Sequence, residues 1–161
     1  MPSFHPEPPF THGQADRTAV LLCNLGMPDE PTAPAVRRYL AQFLGDHRVV
    51  EIPKLLWMPI LHGIILRTRP AKSAAKYASI WTPEGSPLAH WTAKQATLLR
   101  GWLGEAGHAV LVRHAMRYGN PSIASQLDAL KAEGATRILI LPLYPQYSAT
   151  TTASVFDAVY T

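Results

Sequence analysis

The chain has 161 residues, 47% hydrophobic and 16% charged, with a formal net charge of +4. This composition describes a soluble globular protein long enough for one α/β domain with a real core. The mild basic excess suits an anionic small ligand or an anionic membrane surface. No long Lys/Arg run is present to track phosphates, so nucleic acid is set aside as a partner.

Residues 1–17 are rich in Pro, His and Gly and lack the basic start and apolar stretch of a signal peptide. They are expected to be a disordered tail, with a single α/β domain over 18–161. The cytoplasm is the expected compartment. Ala19 to Leu25 (AVLLCNL) is a continuous apolar run closed by Gly26 and Pro28, the pattern of a buried parallel strand. Its Cys23, the only cysteine, rules out an intrachain disulfide, cannot by itself ligate an iron–sulfur cluster, and reads as a core thiol.

Val36, Leu40, Phe43 and Leu44 then share one helical face, after Pro34 in the first turn and before Gly45. Val49 to Ile52 reads as extended. Leu55 to Leu66 is a strongly apolar helical stretch, too short to cross a bilayer. A further helix is expected from Pro70 to about Ile80. Ser86-Pro87 opens another, with Leu88, Trp91, Leu98, Leu99, Trp102 and Leu103 as its buried stripe.

His108 to Met116 is the second predicted strand. Asn120-Pro121 caps the next helix, whose apolar face is Ile123, Leu127 and Leu130. Arg137 to Leu143 (RILILPL) is the third strand, and a helix begins near Thr150. Its pattern from Ser154 to Thr161 carries no stop signal, so the domain is expected to be cut within this helix.

Strands alternating with long helical segments imply right-handed crossovers and a parallel sheet. The predicted fold is therefore a Rossmann-like three-layer α/β/α domain. Ligands of such sheets lie beyond the carboxyl ends of the strands. That rule selects Asn24–Pro28, Arg117–Asn120 and Leu143–Thr152 as candidate site segments, expected to converge on one apolar slot edged by cations and hydroxyls.

The first loop lacks the spaced glycines of a dinucleotide site and the Gly-Lys-Ser/Thr of a phosphate loop. Its Leu25 and Met27 suit a flat hydrophobic ligand or ordinary packing. Arg117 and Tyr118 offer a carboxylate grip and a ring face, or a surface salt bridge. Tyr147, Ser148 and three threonines up to Thr152 give more hydroxyls than one helix cap needs. Arg67, Arg69, Lys72 and Lys76 form a cationic cluster after the apolar helix, either a carboxylate or membrane-surface site or a solvated face. The seven histidines show no metal-ligand spacing, and no metal site is assigned within the chain.

The sequence resembles ferrochelatase of the Gram-negative bacterial type. The resemblance runs from about Thr18 to Thr161 through VLLCNLGMPDEPT, VRRYLAQFLGDHRVVEIP, LLWMPILHGIILRTRP, KYASIW, GSPL, MRYGNPSI and LPLYPQYSATTTAS. It implies insertion of ferrous iron into protoporphyrin IX to form protohaem. Iron is then a substrate, and no cofactor is expected to be bound. It implies that Leu25 and Met27 line the porphyrin face and that Leu55–Leu66 belongs to the lip of the cleft. Arg117, Tyr118, Tyr147 and Ser148 match family site positions, with Arg69 and Ser86 as weaker contacts near the propionates. Peripheral membrane contact through the lip is the most that is expected.

Members of the family have two similar halves. Their catalytic histidine and glutamate belong to the second half and have no counterpart before Thr161. The missing half is the expected partner, and the chain alone is expected to be inactive. Two alternatives remain at this point: a porphyrin- or haem-binding module without turnover, and a short homodimeric chelatase.

Overall fold

The computed structural model describes residues 12, 13 and 15–161. The tail expected over residues 1–17 therefore lies mostly outside the described residues.

The sheet has three parallel strands: β1 (Thr18–Gly26), β2 (Leu111–Tyr118) and β3 (Arg137–Pro142), in the order β2-β1-β3. β1 is central because both its faces are apolar. Ala19, Leu21 and Cys23 face one side, where they meet Ala115 and two helices, α5 (Ile123–Ala132) and α6 (Ser154–Val159). Val20 and Leu22 face the other side, against Val112 and α4 (Pro87–Glu105). Helices on both faces give the three layers that a parallel sheet requires.

A second apolar cluster lies past the carboxyl end of the sheet. There α1 (Ala33–Gly45) packs on α3 (Leu66–Ile80), with Val36, Tyr39, Leu40, Leu61 and Leu66 buried around Tyr118. The short α2 (Lys54–Ile60) is tied to the end of α1 by Trp57, whose Nε1 donates to the Leu44 carbonyl at 2.7 Å.

Four sequence expectations are corrected. Val49 to Ile52 joins no strand: it begins in a turn, where Val49 and Val50 both donate to the Asp46 carbonyl at 3.0 Å. The helix expected to begin at Pro70 begins at Leu66, and Pro70 lies inside it. It continues from α2 through a widened π-helical turn at Leu61–Ile65, and Pro70, with no N–H to donate, sits only one turn in. Asn120-Pro121 is a cis pair in the loop, and Ser122 caps α5 instead.

The fourth correction concerns α4. Its buried positions are Thr92 and Ala96, with Leu99 and Leu103 packed beside them, while Trp91, Leu98 and Trp102 are exposed at 56%, 46% and 65%. Small side chains let the helix sit close on the sheet, and the large ones fall on its flank.

The Ser122 cap is testable at small scale. Its Oγ accepts from the Ser125 N–H at 3.2 Å. Ser122→Ala is expected to lower stability by about 1 kcal/mol, read by urea unfolding.

Candidate functional site

The first two strand ends are pressed together by two glycines. Gly26 ends β1 with φ +94°, and a Cβ there would meet the Tyr118 carbonyl oxygen at 1.8 Å. Gly119 follows β2 with φ +87°, and a Cβ there would meet the Met27 carbonyl oxygen at 2.5 Å. Both positions demand a residue without a side chain. This contact sets where Leu25, Met27, Arg117 and Tyr118 stand.

Asn24 orients the end of β1 further. Its Nδ2 donates to Thr92 Oγ1 at 3.0 Å, and its Oδ1 accepts from the Leu25 N–H at 2.8 Å. Leu25 then packs against the apolar cluster around Tyr118 and α1. Met27 is buried and lines two hollows. One, of about 310 Å³, is shared with Trp81, Glu84, Ser86 and Asn120. The other, of about 150 Å³, is shared with Arg38, Tyr39 and Gly119. Two residues singled out from sequence, Met27 and Ser86, are thus brought to one cavity.

Arg117 and Tyr118 belong to a buried polar cluster centred on Asp46, which is 8% exposed. Asp46 Oδ2 accepts from Arg117 Nη2 at 2.7 Å, Tyr118 Oη at 2.7 Å and Ser154 Oγ at 2.6 Å. Its Oδ1 accepts from the Arg48 N–H at 2.8 Å. Arg117 Nε also donates to the Ser154 carbonyl at 2.8 Å, and the guanidinium stacks over the Tyr118 ring at 4.6 Å. The cluster joins the end of α1, the end of β2 and the start of α6.

Burial works to raise the Asp46 carboxyl. The hydrogen bonds from Ser154, the Arg48 backbone and Tyr118, with the Arg117 charge, outweigh it and hold the group below its ordinary value. Burial pushes the Tyr118 phenol well above its usual range. Neither group titrates near neutral pH, so the cluster fixes positions and carries no proton in that range.

The third strand end is more open. Tyr147 is 73% exposed. Ser148 precedes a π-helical turn at Ala149–Ala153, and its Oγ bonds the hydroxyls of Thr150 at 3.1 Å and Thr151 at 2.7 Å. Beside it, Arg48 pairs with Asp157, and His47, Arg48 and Ala149 line a shallow hollow. The Tyr144 hydroxyl is buried with no partner among the described residues, and burial lifts its pKa to about 12.

The strand ends therefore present different settings. Leu25 and Arg117 are linked through Tyr118, while Tyr147 stands out to solvent. Arg69 is exposed on α3. A groove of about 570 Å³ lies between α1 and α3, with Arg37, Arg38 and Arg67 around Pro34 and Pro70. Next to α3, Leu55, Leu56 and Ile64 are exposed at 88%, 63% and 58%, so part of the apolar stretch stands as an unburied ridge, while its Leu61 and Leu66 are buried. No helix among the described residues is long and apolar enough to cross a membrane.

Sequence reasoning missed Asp46 and Ser154. Asp46 sits one residue past a helix-ending Gly, where an acidic residue gives no signal. Ser154 was one hydroxyl among many in its segment.

A model of the ferrochelatase family matches residues 17–161. A ferrochelatase of Methylibium petroleiphilum is 76% identical over 155 residues, 96% of this chain and 43% of the relative. Ferrochelatases of a Polaromonas species and of Chromobacterium violaceum are 74% and 57% identical, over 98% and 99% of this chain. Each of these two is covered over 44% of its own length, so the chain spans less than half of the curated relatives it matches.

Proposed function

The chain belongs to the ferrochelatase family, and from that premise we propose that it is the porphyrin-holding half of an enzyme that inserts ferrous iron into protoporphyrin IX. The observation that carries this reading is the unbroken family match across all three strand ends, residues 17–161. The reaction forms two pairs of iron–nitrogen bonds, releases two pyrrole protons and gives protohaem. Nothing is oxidised or reduced.

On this reading the macrocycle lies along the apolar ridge of Leu55, Leu56 and Ile64, with Leu25 and Met27 behind its face. A flat apolar ligand gains most from such a wall, since burial is worth roughly 25 cal/mol per Å² of apolar surface. The propionates stay at the wet edge, within reach of cations such as Arg67 and Arg69 and of Ser86. Arg117 is occupied by Asp46 and Ser154. Its role is therefore to present its charge and to hold Tyr118, not to offer an open fork to a carboxylate. Tyr147 and Ser148 supply an exposed ring and hydroxyls on the opposite side.

The groups that accept the pyrrole protons come from the other part of the longer protein. The proposed setting is the cytoplasm, with peripheral membrane contact through the same apolar ridge.

The test is an insertion assay with ferrous iron and protoporphyrin IX on two proteins. One is the 161-residue chain, and the other is this chain in place of the matched stretch in the Methylibium relative. The completed protein is expected to form protohaem, and the chain alone to stay at the uncatalysed rate. Turnover by the chain alone would show that it holds its own base. A folded completed protein that makes no protohaem would sink the proposal.

A further inference from the structure

β2 forms one edge of the sheet among the described residues. One contact fixes which of its backbone groups face outward. The Met116 N–H turns away from β1 and donates to the Pro121 carbonyl at 2.7 Å, and Met116 makes an isolated parallel bridge with Ser122. In a strand the N–H and C=O of one residue point to the same side, and the side alternates along the chain. His114 and Val112 therefore also turn their N–H and C=O outward. Neither residue has a partner for these groups among the described residues.

These groups do not lie on an open surface. Val110 to His114 form the floor of a hollow of about 340 Å³. One wall is α4, where Ala93, Ala96 and Thr97 are small enough to leave room beside the strand. The other wall is Gln126 of α5 and Glu133, just past the end of that helix. The floor runs for roughly 13 Å of extended chain.

Two arginines reach the hollow, and they differ. Arg113 is engaged: its Nε donates to Glu133 Oε1 at 3.0 Å and its Nη1 to Gln126 Oε1 at 3.3 Å. Arg100, on the α4 wall, has no ion pair among the described residues. With Glu133 matched by Arg113, one positive charge is left over. Burial lowers the His114 pKa, so that ring adds no charge near neutral pH.

The outward carbonyls would repel a small anion. An extended peptide matches them, because it offers N–H and C=O groups at the spacing of the strand. A carboxylate on the α4 side of that peptide meets Arg100, a charge-assisted contact.

We propose that the outer edge of β2 is a docking groove for an extended acidic segment of a partner protein, added to the sheet as an edge strand with a carboxylate on Arg100. The groove leaves the carboxyl ends of the strands clear. It therefore stands whether or not the completed protein turns over porphyrin.

The probe is the peptide Thr-Val-Glu-Val-Thr with neutral ends, carrying fluorescein to read affinity by anisotropy or benzophenone to read location. It is titrated into the completed protein described above. Crosslinks are expected within Ala93–Arg100 and Val110–His114. Of two such peptides N-methylated at alternate amides, only one is expected to bind, since only one phase faces β2. Replacing Glu by Lys in the peptide should weaken binding about tenfold, and so should Arg100→Ala in the protein. Arg100 is exposed on α4, so that variant keeps the fold.

Equal binding of both N-methylated peptides, or of the Glu and Lys peptides, overturns the proposal. So does a lack of binding at millimolar peptide, or crosslinking to Leu55, Leu56 and Ile64 instead. Self-association in sedimentation that the peptide displaces overturns it as well, since the occupant is then a second copy. None of these outcomes depends on porphyrin or iron, so failure here is distinct from failure of the proposed activity.

Discussion

Gly26→Ala is expected to destabilise the chain by about 3 kcal/mol or more, the sum of a strained backbone and a steric clash of about 1–3 kcal/mol each. Gly26 lies in register with Tyr118, and its φ of +94° is a region that L side chains rarely adopt. The added methyl would lie 1.8 Å from a main-chain oxygen. A flexible side chain can swing away from such a contact, but a strand carbonyl cannot without breaking the β1–β2 ladder. Urea unfolding followed by far-UV circular dichroism measures the loss.

Gly45→Ala is the matched control. Nothing lies within 4 Å of its added Cβ, and it sits in the last turn of α1. There alanine is favoured over glycine by up to about 1 kcal/mol. A Gly26→Ala protein as stable as the parent would mean that the two strand ends do not meet as described. The site would then lose its frame, because Leu25, Met27, Arg117 and Tyr118 are all placed by that contact.

Much of the fold was legible because the signals were redundant. AVLLCNL, closed by Gly26 and Pro28, reads as a buried strand: both alternating sets, Ala19/Leu21/Cys23 and Val20/Leu22, are apolar, and each finds its own helix layer. Ser86-Pro87 marked the start of α4 for the same reason, a cap residue followed by a ring with no N–H to lose. The stripe of α4 was misread because apolar content was taken for burial. Trp91, Leu98 and Trp102 are exposed at 56%, 46% and 65%, on a flank that no element of this chain covers among the described residues.

The site was legible only in outline. Strand ends can be found from sequence, which is how Met27 was singled out; Ser86 came from the family resemblance, and the two share a cavity. The polar cluster behind them was not visible. Asp46 meets Arg117 across 71 residues and Ser154 across 108, and no local pattern records a contact of that range. Arg117 and Tyr118 were read as a carboxylate grip and a ring face, or as a surface salt bridge; both are held by Asp46, in a pairing that is buried. The residue that holds a site residue in place leaves a weaker mark on sequence than the site residue itself.

That makes Asp46 the most informative position to change. Asp46→Ala is expected to cost about 3 kcal/mol, the lower end for breaking a buried pair, since the Arg117 side chain keeps 20% exposure. It strands a guanidinium, a phenol and a serine hydroxyl at once. Asp46→Asn keeps the shape, loses the charge and turns one acceptor into a donor facing other donors, at about 2 kcal/mol.

The pH dependence separates charge from shape. A carboxyl held below its unfolded value, near 3.9, contributes stability that is fully present above that value. The contribution is lost as pH falls through the lower folded value. The parent should therefore weaken below about pH 4, while Asp46→Asn has no such loss from this position. The gap between the two, measured by urea unfolding from pH 7 down to pH 3, should narrow as the carboxylate is protonated. A gap that stays constant over that range would mean that Asp46 acts by shape alone, and that no buried charge fixes Arg117 against Tyr118.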